Sequence, residues 1–175
     1  MHSLKNRIGM LGLLLIGLIT LGCLVSGTFI IVESFTFTAQ TGFYFYQVDI
    51  TENPDWEDRK DDIDFIDAVG LEFYITSTES GDVTFNAYID DYSGASSPLS
   101  VPGTATKIID NFTVAPGTTS ISYAESLGIL TGIARLKTLA KLGQFDYYGE
   151  STGNDGNSFI IDSGKVIVTF SASSS

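Results

Sequence analysis

Sulfur and imidazole are nearly missing from this chain of 175 residues. It has one cysteine, Cys23, two methionines, Met1 and Met10, and one histidine, His2. All four stand within the first 23 positions, so nothing after Cys23 can form a disulfide, a Ser-His-Asp or Cys-His arrangement, or a metal or haem centre that needs imidazole, thiolate or thioether. Positive charge is scarce too: 9 Lys and Arg stand against 21 Asp and Glu, a net charge of −12. With no basic stripe to offset that field, nucleic acid is excluded as a partner. Charged residues make up only 17% of the chain, below the usual share of about 25%. No P-loop, dinucleotide fingerprint or G-x-S-x-G elbow occurs, because the Gly-rich stretches follow turns and do not open helices. The expectation is a non-enzymatic protein without a cofactor.

What the chain does have begins with its N-terminus. His2, Lys5 and Arg7 form a short basic region, followed by an apolar run from Ile8 to Val25 relieved only by Gly, Thr, Cys23 and little else. This is the pattern of an export signal, a hydrophobic signal helix preceding the domain. Ile19-Thr20-Leu21-Gly22-Cys23 resembles the lipobox of bacterial lipoprotein signal peptides, with Gly22 as the small residue before the cysteine; Thr20 stands where that family usually has Leu. The resemblance implies cleavage before Cys23, acyl chains such as palmitate on its sulfur, residues 1–22 as signal peptide and 23–175 as the exported domain. Two alternatives stay open: ordinary cleavage at Val25-Ser26-Gly27, giving a secreted protein, and an uncleaved helical anchor reaching Val32 and ended by Glu33.

Downstream, strict alternation dominates. Val69, Leu71, Phe73 and Ile75 alternate with Gly70, Glu72, Tyr74 and Thr76, and Val83, Phe85, Ala87 and Ile89 with Thr84, Asn86, Tyr88 and Asp90. Period-two runs bury one face of a strand and wet the other. Phe35 and Phe37, Tyr44 to Ile50, Ile108 with Phe112 and Val114, and Val166, Val168 and Phe170 read the same way. Ser80-Gly81 and Ser163-Gly164 read as short hairpin turns, 152–157 and 93–103 as loops. Eight or nine short strands at this spacing predict a mainly β fold, an antiparallel immunoglobulin-like two-sheet sandwich. One helix is expected near 131–142, with Ile133, Leu136, Leu139 and Ala140 on one face, Arg135, Lys137 and Lys141 facing away, and Gly143 as its C-terminal cap. Ser122-x-x-Glu125 offers a capping box before it.

Two features carry candidate chemistry. Nine acids lie between Asp49 and Asp67, opposed only by Arg59 and Lys60. Asp55, Glu57, Asp58, Asp61 and Asp62 are the tentative Ca²⁺ ligands among them, since crowded carboxylates suit that ion; the EF-hand spacing is absent, and a solvated acidic loop or short helix with Trp56 as its buried anchor is the plainer reading. Two aromatic runs, Phe43 to Tyr46 and Phe145 to Tyr148, offer either a doubly covered strand or an exposed stacking surface.

From Gly22-Cys23, Asp55-Trp56-Glu57-Asp58 and the late helix before two terminal strands, the chain is similar to bacterial envelope lipoproteins with a single immunoglobulin-like domain. That resemblance implies attachment to a membrane through N-terminal lipid, a protein or carbohydrate partner, and no catalytic residue. Leu24 after the cysteine is similar to lipoproteins sent to the outer membrane. The alternative function is a calcium-dependent carbohydrate- or protein-binding module.

Overall fold

The computed structural model describes residues 26–40, 42–94, 98–153 and 158–173. Cys23, the stretch 1–22 expected as a signal helix, and most of the 152–157 loop lie outside the described residues. The alternating runs fold as eight strands: β1 (Ser26–Gln40), β2 (Phe43–Asp49), β3 (Ile63–Ser77), β4 (Val83–Asp91), β5 (Thr106–Val114), β6 (Gly117–Ile121), β7 (Gln144–Thr152) and β8 (Ser158–Ser173). They form two four-stranded sheets, β1-β8-β3-β6 (sheet A) and β2-β7-β4-β5 (sheet B), with every pairing antiparallel. The inward residues of both sheets make one core, in which Ile31, Val69, Ile75, Ile89, Val168 and Phe170 are almost fully enclosed.

The expected sandwich is therefore present. Its strand order interleaves the sequence, however: only β4 and β5 are both consecutive and in one sheet, and every other connection crosses between sheets. That is the winding of an eight-stranded jelly roll with two Greek keys. An immunoglobulin constant domain pairs ABED against CFG, so the expectation is met in architecture and not in strand order. Two turn assignments need correction for the same reason. Ser80-Gly81 does not close a hairpin, because β3 and β4 belong to different sheets. Ser163-Gly164 joins no pair of strands; it is a bulge within the single strand β8, where the register to both β1 and β3 slips.

The N-terminal end of β1 also corrects one reading of the leader. Ser26 to Val32 is strand paired with β8, from Ser26 opposite Ser173 to Val32 opposite Ile167. A membrane helix cannot extend to Val32 without withdrawing that half of β1 from its sheet.

Among the described residues there are three α-helices: α1 (Pro54–Glu57), the short helix that was one of the two readings around Trp56, α2 (Tyr123–Ile129), and α3 (Ile133–Leu142), the one expected near 131–142. The Ser122/Glu125 capping box forms in full and starts α2. Together α2 and α3 make the crossover from sheet A to sheet B. Strand β6 pairs only with Phe73–Ser77 of β3, and α2 takes over the edge beyond it. There Ser126 Oγ accepts the Leu71 N–H at 2.9 Å, and the Tyr123 ring lies over Gly70, where an added Cβ would come within 2.3 Å of it. Covering an edge this way leaves fewer backbone groups open to another chain. Helix α3 buries Leu136, Leu139 and Ala140 and stops at Gly143, whose φ of 83° suits glycine. Its basic residues do not all face away: Arg135 bonds Asp91 at 2.7 Å, and Lys137 donates to the Asp67 carbonyl of β3.

The tightest backbone approach is between β2 and β7. Tyr44 stands directly opposite Gly149, and an added Cβ there would meet the Tyr44 ring at 1.7 Å. We expect Gly149→Ala to lower the urea unfolding midpoint by a stability loss of about 1–3 kcal/mol, the usual range for overpacking. Gly103→Ala, with nothing within 4 Å of the new methyl, is the control and should leave the midpoint unchanged.

Candidate functional site

The acidic segment 49–67 does not act as a unit. Asn53 caps α1 by accepting the Asp55 N–H at 3.0 Å, Pro54 starts it, and Trp56 is buried against Gly143. That arrangement turns the tentative calcium ligands outward: Asp55, Glu57, Asp58, Asp61 and Asp62 are all exposed. Glu57 is bridged to Lys60 at 2.7 Å. The flanking acids serve other partners. Asp49 accepts from Thr51 N–H at 2.9 Å and from Gln144 Nε2 at 2.8 Å; burial alone would raise its pKa, but these bonds outweigh it and hold the carboxyl below its usual value. Asp67 accepts from Ser171 Oγ at 2.7 Å. Among the described residues, no three acidic or other ligating side chains come together as a metal site.

The aromatic runs do come together, because β2 and β7 are neighbours. On the inner face the Tyr44 and Tyr147 rings lie 6.1 Å apart. On the outer face Tyr148 packs against Phe45 at 5.2 Å and Phe43 at 6.4 Å. Beside them Tyr88 donates to Glu150 at 3.1 Å, and Lys107 Nζ sits 5.4 Å from the Tyr88 ring centre. Of the two aromatic strands β2 is an edge strand, whereas β7 is central, paired with β2 and β4. It is covered on both faces as a central aromatic strand is expected to be: by the outer rings on one side and on the other by α3, whose Leu136 shares a small void with Phe145 and Tyr147.

Within this outer face is a group that sequence reasoning missed. Asp146 stands opposite Gln47 on one side and Asp90 on the other, yet its exposure is 0%. Gln47 Nε2 donates to Oδ1 at 3.2 Å; Ser93 N–H at 3.1 Å, Ser93 Oγ at 2.5 Å and Tyr148 O–H at 3.1 Å all donate to Oδ2. A buried carboxylate is tolerated only when its lone pairs are filled in this way. Asp90 has its own partners, Thr104 Oγ1 at 2.5 Å and Arg135 at 3.8 Å, so two like charges share neighbouring positions without meeting bare. The result is a latch: Asp146 and Asp90 clasp the two ends of the 92–105 loop to sheet B. An enclosed carboxylate with four donors is committed to the fold. The sequence signal, one Asp in an aromatic strand, did not distinguish it from a solvated residue.

Between the sheets there is a void of only about 20 Å³, lined by Tyr46, Val48, Leu71, Phe73, Leu136 and Phe145 among others, too small for more than about one water. Outside, where α2 meets the outer face of sheet A, Glu72, Tyr74, Ser120, Ser122 and Glu125 line an open concavity of about 220 Å³. It combines a half-exposed ring with hydroxyls and carboxylates. Glu72 is bridged to Lys165 at 2.8 Å, and the Ser122 hydroxyl and N–H hold the Glu125 pKa below its usual value.

The latch has an alkaline signature. Burial, then the charge of Asp146 and its hydrogen bond, push Tyr148 up to about 12, and burial pushes Tyr147 up to about 12. Protons are thus held more tightly in the folded state than in the unfolded one, where tyrosine titrates near 10. Stability from these groups is complete below about pH 10 and is lost as pH rises toward 12. We expect urea midpoints to fall across that window. Asp146→Ala should cost about 1–3 kcal/mol at neutral pH by orphaning buried donors, and should bring the Tyr148 midpoint, followed by ultraviolet difference absorbance, part of the way back toward 10.

No protein-family model matches this chain, and no curated protein matches it. Among solved structures it is similar to that of infectious bursal disease virus Gx strain, at 12% identity and a TM-score of 0.35, covering 82% of this chain and 32% of that one. The chain spans about a third of that protein's length, and a likeness this distant carries no argument about function.

Proposed function

We propose that this chain is a non-enzymatic β-sandwich domain, exported and held to a bacterial envelope membrane by lipid on Cys23, outer membrane or periplasmic face, where it binds or spaces another component. One observation supports this reading above plain secretion: Ser26 and Gly27 are already paired residues of β1. Cleavage before Cys23 leaves both of them in place. Cleavage after Gly27 would strip Ser26 and Gly27, which pair with Ser173 and Ala172. Multiple acyl chains, at about 0.8 kcal/mol per buried CH₂, make such an anchor stable. The test is detergent partitioning of the wild type against Cys23→Ser, with intact mass. The wild type should enter the detergent phase with acyl mass added to Cys23 as its first residue, and Cys23→Ser should stay aqueous. An unacylated product, or one starting at Thr28, would refute the reading.

A second reading, a carbohydrate- or protein-binding module, draws on the concavity beside Tyr74, where an exposed ring and hydrogen-bonding groups converge as sugar stacking requires. The calcium dependence once expected of it would have to use the exposed acids of 49–67. Given their outward placement, we expect millimolar Ca²⁺ to leave the melting midpoint unchanged; a rise would mark a folded-state site.

A further inference from the structure

The outer face of sheet A carries apolar side chains at the end where the chain enters it. Because β1, β8 and β3 are in register, its rows can be read across: Thr28, Ser171 and Phe65; Ile30, Thr169 and Ala68; Val32, Ile167 and Gly70; Ser34, Lys165 and Glu72. Phe65 is 71% exposed, Ile30 61% and Val32 43%. Three large apolar side chains open to solvent on one side of one sheet are a costly arrangement for a chain that spends its life in water, and grouped apolar exposure marks a contact surface.

We propose that this face lies on the lipid bilayer. The inference rests on the membrane attachment proposed above, and the geometry of that attachment selects the occupant. Cys23 is three residues from Ser26, so the first residue of β1 lies at most about 10 Å from an acylated Cys23. Thr28 is two residues further along, and Phe65 is two strands across from it in the same row. A tether that short keeps the β1 end of sheet A at the membrane surface. The domain can then lay down one of its two sheet faces. The outer face of sheet B has its rings, Phe43, Phe45 and Tyr148, packed on one another among Asp49, Glu150, Asp110 and the 92–105 loop, whereas the outer face of sheet A offers Ile30, Val32 and Phe65 to the acyl boundary. Lys165, at the far end of those rows and bridged to Glu72, sits at the level of the head groups. With the exposed carboxylate of Asp67, hydrogen-bonded to Ser171, beside Phe65 and an acidic protein overall, the contact suits zwitterionic lipid, not anionic lipid.

Acylation consumes the only thiol, so one introduced cysteine can be labelled uniquely. Nitroxide is placed on Ile30→Cys, Phe65→Cys and, as a control on the outer face of sheet B, Thr113→Cys, in the full acylated protein on phosphatidylcholine vesicles at low surface density. All three positions are exposed, so the fold tolerates the label. Labels at 30 and 65 should lose access to a water-soluble relaxation reagent and gain access to oxygen, which concentrates in lipid, whereas the label at 113 stays water-accessible. A protein that floats with the vesicles but shows wet labels at 30 and 65 overturns this proposal alone. So does protection that appears only as surface density rises, which would assign the face to a second copy of the chain. A protein that carries no acyl mass and fails to float overturns the anchor and this proposal with it.

Discussion

The pairing of β1 with β8 holds this molecule closed. It joins Ser26 to Ser173 and runs through Gln40 and Ser158, and β8 carries β3 on its other side in nearly the same register. No disulfide is available after Cys23, so the two ends of the domain are kept together by ladder hydrogen bonds and by the inward residues Ile31, Val168, Phe170 and Val69 alone. Contacts of such long sequence separation are slow to form, because loop-closure entropy is lost before packing repays it.

The second constraint is the interleaving of the sheets. Since nearly every connection crosses between them, each sheet is assembled from strands distant in sequence, and the edges have to be finished by elements from elsewhere. Short β6 leaves half of β3 open, and Ser126, Tyr123 and Lys137 from the two crossover helices complete it. On sheet B the 92–105 loop is clasped down by Asp146 and Asp90. The sheet A face next to the entry of β1 has no such cover among the described residues, and it is this contrast between finished and unfinished surfaces that gives the domain a direction.

Much of the fold was legible beforehand. Alternation located the strands, the 3.6 period with Gly143 located α3, and the plain reading of Trp56 as the buried anchor of an acidic turn matches where it lies. Failures clustered at turns. Ser80-Gly81 has hairpin chemistry, yet it carries the chain across the core; Ser163-Gly164 has it too, yet it bends one continuous strand. Gly128 costs helix propensity within 123–129, yet the capping box and the open edge of β3 hold a helix there. Two register slips in β5, one beside Asn111, whose φ is 51°, and one at Ile108, let Ile108 and Ile109 both be buried and break the simple alternation expected of β5.

By itself, then, the sequence determined which stretches are strands, which of their faces are apolar, the acidic field, and the absence of thiol and imidazole chemistry from the domain, because each of these is a property of residues taken locally or summed. Only the tertiary structure decided which strands pair, that the aromatic runs of β2 and β7 interlock, that Asp146 is enclosed while Asp55 to Asp62 are not, and that Ile30, Val32 and Phe65 share one open face. The physical reason is that a strand's two faces are written in its own alternation, whereas its neighbour is chosen by the packing of side chains a hundred residues away.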